Sequence, residues 1–310
     1  MSAPPCLNPR TKEETAMTTI GFIGLGIMGA PMAKHLVDAG HQVHGFDLSA
    51  DATAALAAGG GKAAGSIAEA VNGADLVITM LPADPHVETA VLGEDGVLAH
   101  AKTGSLLIDM STVSPQTSQA VAEAGKARGV RVLDAPVSGG QAGAVEGVLS
   151  IMVGGDESDF RAAAPVFDAF GKTVVHVGPH GAGQVVKAAN QLLVGGIIAL
   201  NAEALVLMEA SGVDPRLGLE VLNGGLAGST VLTRKMDNFV NRSYDPGFRI
   251  DLHHKDMGIA QNAARGAEVA LPLTAAVAQL VAAARAQGLG DRDHSALLAV
   301  IEGFNNRKET

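Results

Sequence analysis

Apolar residues follow two regimes along the 310-residue chain, and the change falls near residue 180. From Thr18 to Val177, short β-branched runs alternate with Ala-rich stretches of helical period, the pattern of repeated βαβ units on a parallel sheet. The runs predict strands at Thr18–Ile23, Gln42–Phe46, Leu76–Met80, Leu106–Ile108, Arg131–Leu133, Leu149–Val153 and Thr173–Val177. After Gly178-Pro179-His180-Gly181 the strand signal stops. Apolar-periodic stretches follow at 184–211, 215–223, 229–241, 250–265, 272–286 and 294–305. Asp214-Pro215 reads as an N-cap followed by proline in the first turn, and Pro272 sits likewise near a helix start. The expectation is an α/β doubly wound N-terminal domain over residues 18–179 and an all-helical C-terminal domain over 180–306, joined by the 184–211 helix. Residues 1–17 carry Pro4, Pro5, Pro9 and mixed charge without an apolar signal core, and read as a disordered extension.

Composition narrows the setting. Hydrophobic residues make up 47% of the chain, enough for a large core. The net charge of -10 argues against nucleic acid or an anionic membrane as partner, since either needs a basic field. The one stretch long enough for a membrane span, Ala188 to Met208, carries Asn190, Gln191, Asn201 and Glu203, and so reads as a core helix. Cys6, the single cysteine, excludes an internal disulfide framework and a cysteine metal cluster, so a reducing cytoplasm is the natural setting.

Gly24-Leu25-Gly26-Ile27-Met28-Gly29 follows the first strand and opens a helix, which is the context that a G-x-G-x-x-G dinucleotide loop requires. Its glycines permit a tight turn and close backbone approach, and the helix start attracts a pyrophosphate. The first domain is therefore expected to be Rossmann-type. Asp47, at the end of the second strand, is placed to accept from the adenosine ribose hydroxyls, and no arginine between 48 and 61 awaits a 2′-phosphate. NAD is thus preferred over NADP; the bland reading of Asp47 is a turn or capping residue. Leu81-Pro82 and Thr112 lie just past two more strands, where ligands sit in open α/β sheets. Thr112 either meets the nicotinamide end of the cofactor or caps the helix after Pro115.

Ser138-Gly139-Gly140 follows another strand, and two glycines after a serine can present N–H groups to a carboxylate. Lys187 stands in a strongly apolar helix, with Asn190 and Gln191 three and four residues on, so the three polar heads share one face. A lysine near a helix start can snorkel to water. Beside a hydride carrier, its ammonium can instead protonate a nascent alkoxide, and its neutral amine can serve as base in reverse. Asn190 and Gln191 can orient substrate oxygens or the lysine head. Lys255, in His253-His254-Lys255-Asp256, could reach the cofactor or a substrate carboxylate. Adjacent histidines on a helix diverge by about 100°, so no metal is expected.

Taken together, Gly24-Leu-Gly26-Ile-Met-Gly29-Ala-Pro31, Asp134-Ala-Pro-Val-Ser138-Gly-Gly, Gly183-Gln-Val-Val-Lys187 and Lys255-Asp256 give the chain a close resemblance to the β-hydroxyacid dehydrogenase family over residues 18 to 305. The resemblance implies Lys187 as the catalytic residue, Ser138, Gly139 and Gly140 as substrate binders, and Thr112 and Lys255 as cofactor contacts. It also implies a small anionic aldehyde or hydroxy-acid substrate, and a homo-oligomer, dimer or tetramer, built through the helical domain. Ala189-Asn190-Gln191, Gly224-Gly225-Leu-Ala-Gly-Ser229, Pro246-Gly247-Phe248-Arg249-Ile250 and Asp293-His294-Ser295-Ala296 resemble most the branch that reduces tartronate semialdehyde, with the 3-hydroxyisobutyrate branch as the alternative. A non-catalytic dinucleotide-binding module is a third reading, opposed by the intact Lys187, Ser138 and Asn190.

Overall fold

The computed structural model describes residues 17–306. Residues 1–16 of the expected extension, Cys6 among them, lie outside that range. Two compact units divide inside one long helix, the first ending at Lys187 and the second beginning at Ala188.

In the first unit the described strands join into one sheet. They are β1 (Thr19–Ile23), β2 (Gln42–Phe46), β3 (Lys62–Ala63), β4 (Leu76–Thr79), β5 (Leu106–Asp109), β6 (Arg131–Asp134), β7 (Val137–Ser138), β8 (Leu149–Gly155) and β9 (Gly171–Gly178). Between them run α1 (Gly29–Asp38), α2 (Ala50–Ala58), α3 (Ile67–Val71), α4 (Asp84–Val87), α5 (Val97–His100), α6 (Pro115–Ala127), α7 (Gly140–Glu146) and α8 (Glu157–Phe167). The first six strands are parallel in the order β3-β2-β1-β4-β5-β6. The winding direction reverses between β1 and β4, which is where open α/β sheets leave a crevice for ligands.

Burial on both faces explains why β1, β4 and β5 read as near-continuous apolar runs. Ile20, Phe22, Ile78, Ile108 and Leu133 join one core with Met32 and Leu36 of α1 and Phe160 and Phe167 of α8. Their strand neighbours Ile23, Val77, Leu107 and Val132 join the other core with Val121 of α6. The period of two along each strand assigns every side chain to its layer. Burying each large apolar side chain contributes on the order of 1.5–3 kcal/mol.

The sheet departs from the expected all-parallel pattern after β6. Strand β8 is antiparallel to β6 and β7, and β9 is parallel to β8. A parallel return would need a crossover carrying the chain back along the sheet. The seven residues of α7 span only about 10 Å, so β8 starts from the end where β6 finished.

The second unit is helical. It takes the rest of α9 (Ala182–Ala210), then α10 (Pro215–Gly224), α11 (Thr230–Asn241), α12 (Ile250–Gly266), α13 (Pro272–Ala284) and α14 (Leu297–Phe304). Asp214 caps α10 by accepting from Leu217 N at 3.0 Å, with Pro215 in the first turn as the sequence predicts. By length and composition alone α9 could cross a membrane. In the fold it is a core helix: Ile198, Ala202 and Leu205 pack with Leu219, Phe239, Met257, Val281 and Leu297. Its outer side keeps Val186, Leu193, Leu200 and Leu207 exposed, one every seven residues.

Candidate active site

The glycine loop sits at the switch point between β1 and β4. Gly24 has φ +97°, and a Cβ there would overlap the carbonyl of Met80, just past β4. At Gly29 a Cβ would overlap the carbonyl of Gly24, so this glycine lets α1 start hard against the strand end. Gly26 differs: a Cβ would meet nothing within 4 Å. No packing in the fold demands a glycine there, so the space it leaves is what a pyrophosphate's approach to the backbone needs. The first N–H groups of a helix lack intrahelical partners, and the residues Gly26, Ile27 and Met28 bring them to this opening. Leu25 is buried beneath the loop and Ile27 is exposed above it. The residues present fit a dinucleotide.

Asp47 follows β2 and holds the loop. Its Oδ2 accepts from Leu25 N at 2.7 Å and its Oδ1 from Ser49 N at 2.8 Å. The carboxylate is therefore a turn residue and a brace for the glycine loop at once. Each oxygen has a further lone pair, which leaves capacity for ribose hydroxyls.

The loops after β4 and β5 are tied together. Leu81 N donates to Ser111 Oγ at 2.9 Å, next to Pro82, which is exposed. Ser114, not Thr112, caps α6, accepting from Thr117 N at 3.1 Å. This removes the capping explanation for Thr112, which stays half-buried between Ser111 and Val113. Asp109, last in β5, is buried; its Oδ1 accepts from Thr79 Oγ1 at 2.8 Å and from Ser111 N at 3.1 Å. Burial pushes its carboxyl up to about 6, against the bonds from Ser111 and Thr79 and with help from the nearby charge of Asp134.

Asp134, paired with Asp109 across β5 and β6, reaches the start of α9. It accepts from Gly181 N at 2.7 Å and Gln184 N at 3.3 Å, an anion at a helix N-terminus. Burial raises its carboxyl above the ordinary range despite those bonds. Contact is close enough that a Cβ on Gly183 would lie 2.8 Å from Asp134 Oδ2. Ser138 ends β7 half-buried, and Gly139 (φ +140°) and Gly140 (φ +61°) turn the chain into α7. Both glycines adopt backbone conformations that a side chain would strain.

Lys187 is 6% exposed, whereas its neighbours Val185 and Val186 are 52% and 38% exposed. The first turns of α9 are thus inverted, with apolar side chains outward and the lysine inward, which excludes snorkelling to water. Gln184 and Gln191, at 0% and 4% exposure, continue the inward polar stripe at spacings of three and four.

In the second unit, Asn190 Nδ2 donates to Gln191 Oε1 at 2.7 Å, and Gln191 Nε2 donates to Asp256 Oδ2 at 2.6 Å. Lys255 Nζ lies 3.1 Å from Asp256 Oδ1. Gln191 is thereby held by protein groups at both ends of its amide, a support role that the sequence reading did not single out. His253 turns inward, its Nε2 3.1 Å from Gln191 O and its Nδ1 3.1 Å from His294 Nδ1, while His254 stays half-buried. Sequence reasoning assigned no role to Ser111, Gln184 or Asp256, although the last two stand in motifs it used. The spacing of Gln184, three residues before Lys187, was the available signal.

Comparison with known proteins shows the family. Residues 19–178 match the family model for the NAD binding domain of 6-phosphogluconate dehydrogenase. Residues 181–301 match that for NAD-binding of NADP-dependent 3-hydroxyisobutyrate dehydrogenase. A Pseudomonas aeruginosa NAD-dependent L-serine dehydrogenase is 41% identical, over 92% of this chain and 98% of its own. The 2-hydroxy-3-oxopropionate reductase of Escherichia coli K12 is 40% identical, over 93% and 99%. A solved Mycobacterium tuberculosis 3-hydroxyisobutyrate dehydrogenase with L-serine superposes with a TM-score of 0.83 at 37% identity, over 92% of this chain and 99% of that one. With the dinucleotide loop at the switch point and a buried lysine opening the helix that follows, the chain belongs to the 3-hydroxyisobutyrate dehydrogenase-like family of NAD(P)-dependent β-hydroxyacid dehydrogenases.

Proposed function

We propose that the protein reduces tartronate semialdehyde (2-hydroxy-3-oxopropanoate) reversibly to glycerate with NADH. The observation that carries the reading is Lys187, turned inward in an apolar helix that belongs to a dinucleotide-binding chain. When bound, a reduced nicotinamide would supply the hydride to the aldehyde carbon. Lys187 donates the proton that the resulting alkoxide takes, and in the glycerate-to-aldehyde direction its neutral amine removes the hydroxyl proton. Ser138, Gly139 and Gly140 hold the substrate carboxylate through a hydroxyl and backbone N–H groups. Asn190 orients the substrate, and Gln191, anchored on Asp256, keeps Asn190 in place. Thr112 and Lys255 would contact the cofactor. Asp47, fixed between Leu25 N and Ser49 N, favours NADH because a 2′-phosphate would face its carboxylate.

The choice of substrate is supported by the Escherichia coli reductase and by the Asn190-Gln191 and Asp293-His294-Ser295 motifs. Oxidation of 3-hydroxyisobutyrate or L-serine is the competing reading, favoured by the other two relatives. A matrix of kcat/KM values decides: tartronate semialdehyde and methylmalonate semialdehyde, each with NADH and NADPH, plus L-serine with NAD. Tartronate semialdehyde with NADH should give the highest value, and a higher value in any other cell would displace the assignment.

The setting we propose is a cytoplasmic enzyme that acts as a homo-oligomer. The seven-residue recurrence of Val186, Leu193, Leu200 and Leu207 on the outside of α9 gives a second copy an apolar stripe to pack on.

A further inference from the structure

Gln184 is fully buried and lies one helical turn before Lys187 on α9. A buried helix face is ordinarily filled by an apolar side chain, so an amide here needs partners. Its Oε1 accepts from Val113 N at 3.2 Å and its Nε2 donates to Ser111 O at 2.9 Å. Those two backbone groups flank Thr112 on either side. The amide therefore grips the loop after β5 as a neighbouring strand would, with one donor and one acceptor. The grip continues outward: Ser111 Oγ accepts from Leu81 N, Ser111 N donates to Asp109 Oδ1, and Gln184's own N–H donates to Asp134 Oδ2. The loops after β4 and β5 and the end of β6 are thus tied to one turn of one helix.

We propose that Gln184 is a positioning residue that sets the register between Lys187 and the Ser111–Val113 loop. The proposal rests on the reductase reading. In that reaction the proton donor must meet the carbonyl oxygen while the hydride reaches the adjoining carbon, and a misplacement of about 1 Å can cost about 10²-fold. Lys187 rides on α9 and Thr112 on the β5 loop, and Gln184 joins those two elements directly.

Two variants test it. Gln184→Met keeps the length and loses both bonds. It should lower kcat roughly 10- to 100-fold, leave the NADH dissociation constant, read by fluorescence, within about threefold, and raise the deuterium isotope effect with 4-deuterated NADH as hydride transfer becomes limiting. Gln184→Glu reproduces the donor and acceptor only as the neutral acid, so its turnover relative to wild type should climb as pH falls from 8 to 6. Should Gln184→Met not fold, the pH profile of Gln184→Glu carries the test. With an active wild type, a normal kcat in Gln184→Met, a loss of NADH binding equal to the loss of turnover, or a Gln184→Glu profile parallel to wild type would each overturn the positioning role alone. A wild-type chain inactive across the substrate matrix would overturn the reductase reading and this role together.

Discussion

Replacing Asp109 by asparagine should change how stability depends on pH. Asp109 is 2% exposed at the end of β5; its Oδ1 takes two hydrogen bonds, from Thr79 Oγ1 and Ser111 N, while Oδ2 is buried without a partner among the described residues. Its carboxyl titrates near 6 instead of 3.8, with burial as the main cause. A folded pKa above the unfolded one means that between about pH 4 and 6 the native state holds a proton that the unfolded chain has released. By linkage, stability then falls as pH rises through that window and is level above it. The displacement from 3.8 to about 6, at roughly 1.4 kcal/mol per pH unit, amounts to about 3 kcal/mol. In Asp109→Asn the amide retains an oxygen for Thr79 and Ser111 and does not titrate. Urea unfolding of both proteins at several pH values from 4.5 to 8 reads the effect, because carboxylates remote from Asp109 cancel in the difference and only its strand neighbour Asp134 shares in it. The variant should gain about 2–3 kcal/mol on wild type between the ends of that range, most of it below pH 6.5. A difference that stays constant with pH would refute the reasoning and imply that Asp109 remains ionised throughout.

Lys187→Ala should lower turnover roughly 10²- to 10⁴-fold with NADH affinity little changed; near-normal turnover in steady-state assays would remove the lysine from the mechanism. Asp47→Ala should weaken both cofactors, since it frees Leu25 N and Ser49 N, but NADH more than NADPH; an unchanged ratio of the two dissociation constants would make Asp47 a brace only. Leu200→Glu, at the middle of the exposed stripe on α9, should yield monomers by light scattering with an unaltered circular dichroism spectrum. An unchanged mass would put the interface elsewhere.

Elements with local signatures were legible in the chain itself. The apolar runs of β1, β4 and β5 are buried on both faces, so pattern and burial agree, and the Asp214-Pro215 cap works through groups three residues apart. The glycine loop was equally readable because strand, turn and helix are contiguous. The reversal at β8 was not, since it depends on α7 being too short for a crossover, a property of length and docking instead of composition. Asp47 was legible both as a ribose acceptor and as a turn residue, and its bond from Ser49 N is that local turn; its other partner, Leu25 N, is 22 residues away and emerges only when the chain is folded. Gln191 shows the same limit: its spacing from Lys187 is visible, but its anchor Asp256 is 65 residues distant.

Those long-range partners change what the polar residues of α9 mean. Gln184, Lys187 and Gln191 recur at three and four residues, and in sequence they look like one cluster around a catalytic lysine. In the fold the two flanking amides are occupied, Gln184 by the β5 loop and Gln191 by Asn190 and Asp256. The stripe therefore works as a lysine between two anchors, each gripping its own unit. Such a helix must be polar inward over these turns and can be apolar outward, which is the inversion seen at Val185 and Val186. From Ile198 onward the inward side of α9 packs into a core, through Ile198, Ala199, Ala202, Leu205 and Val206.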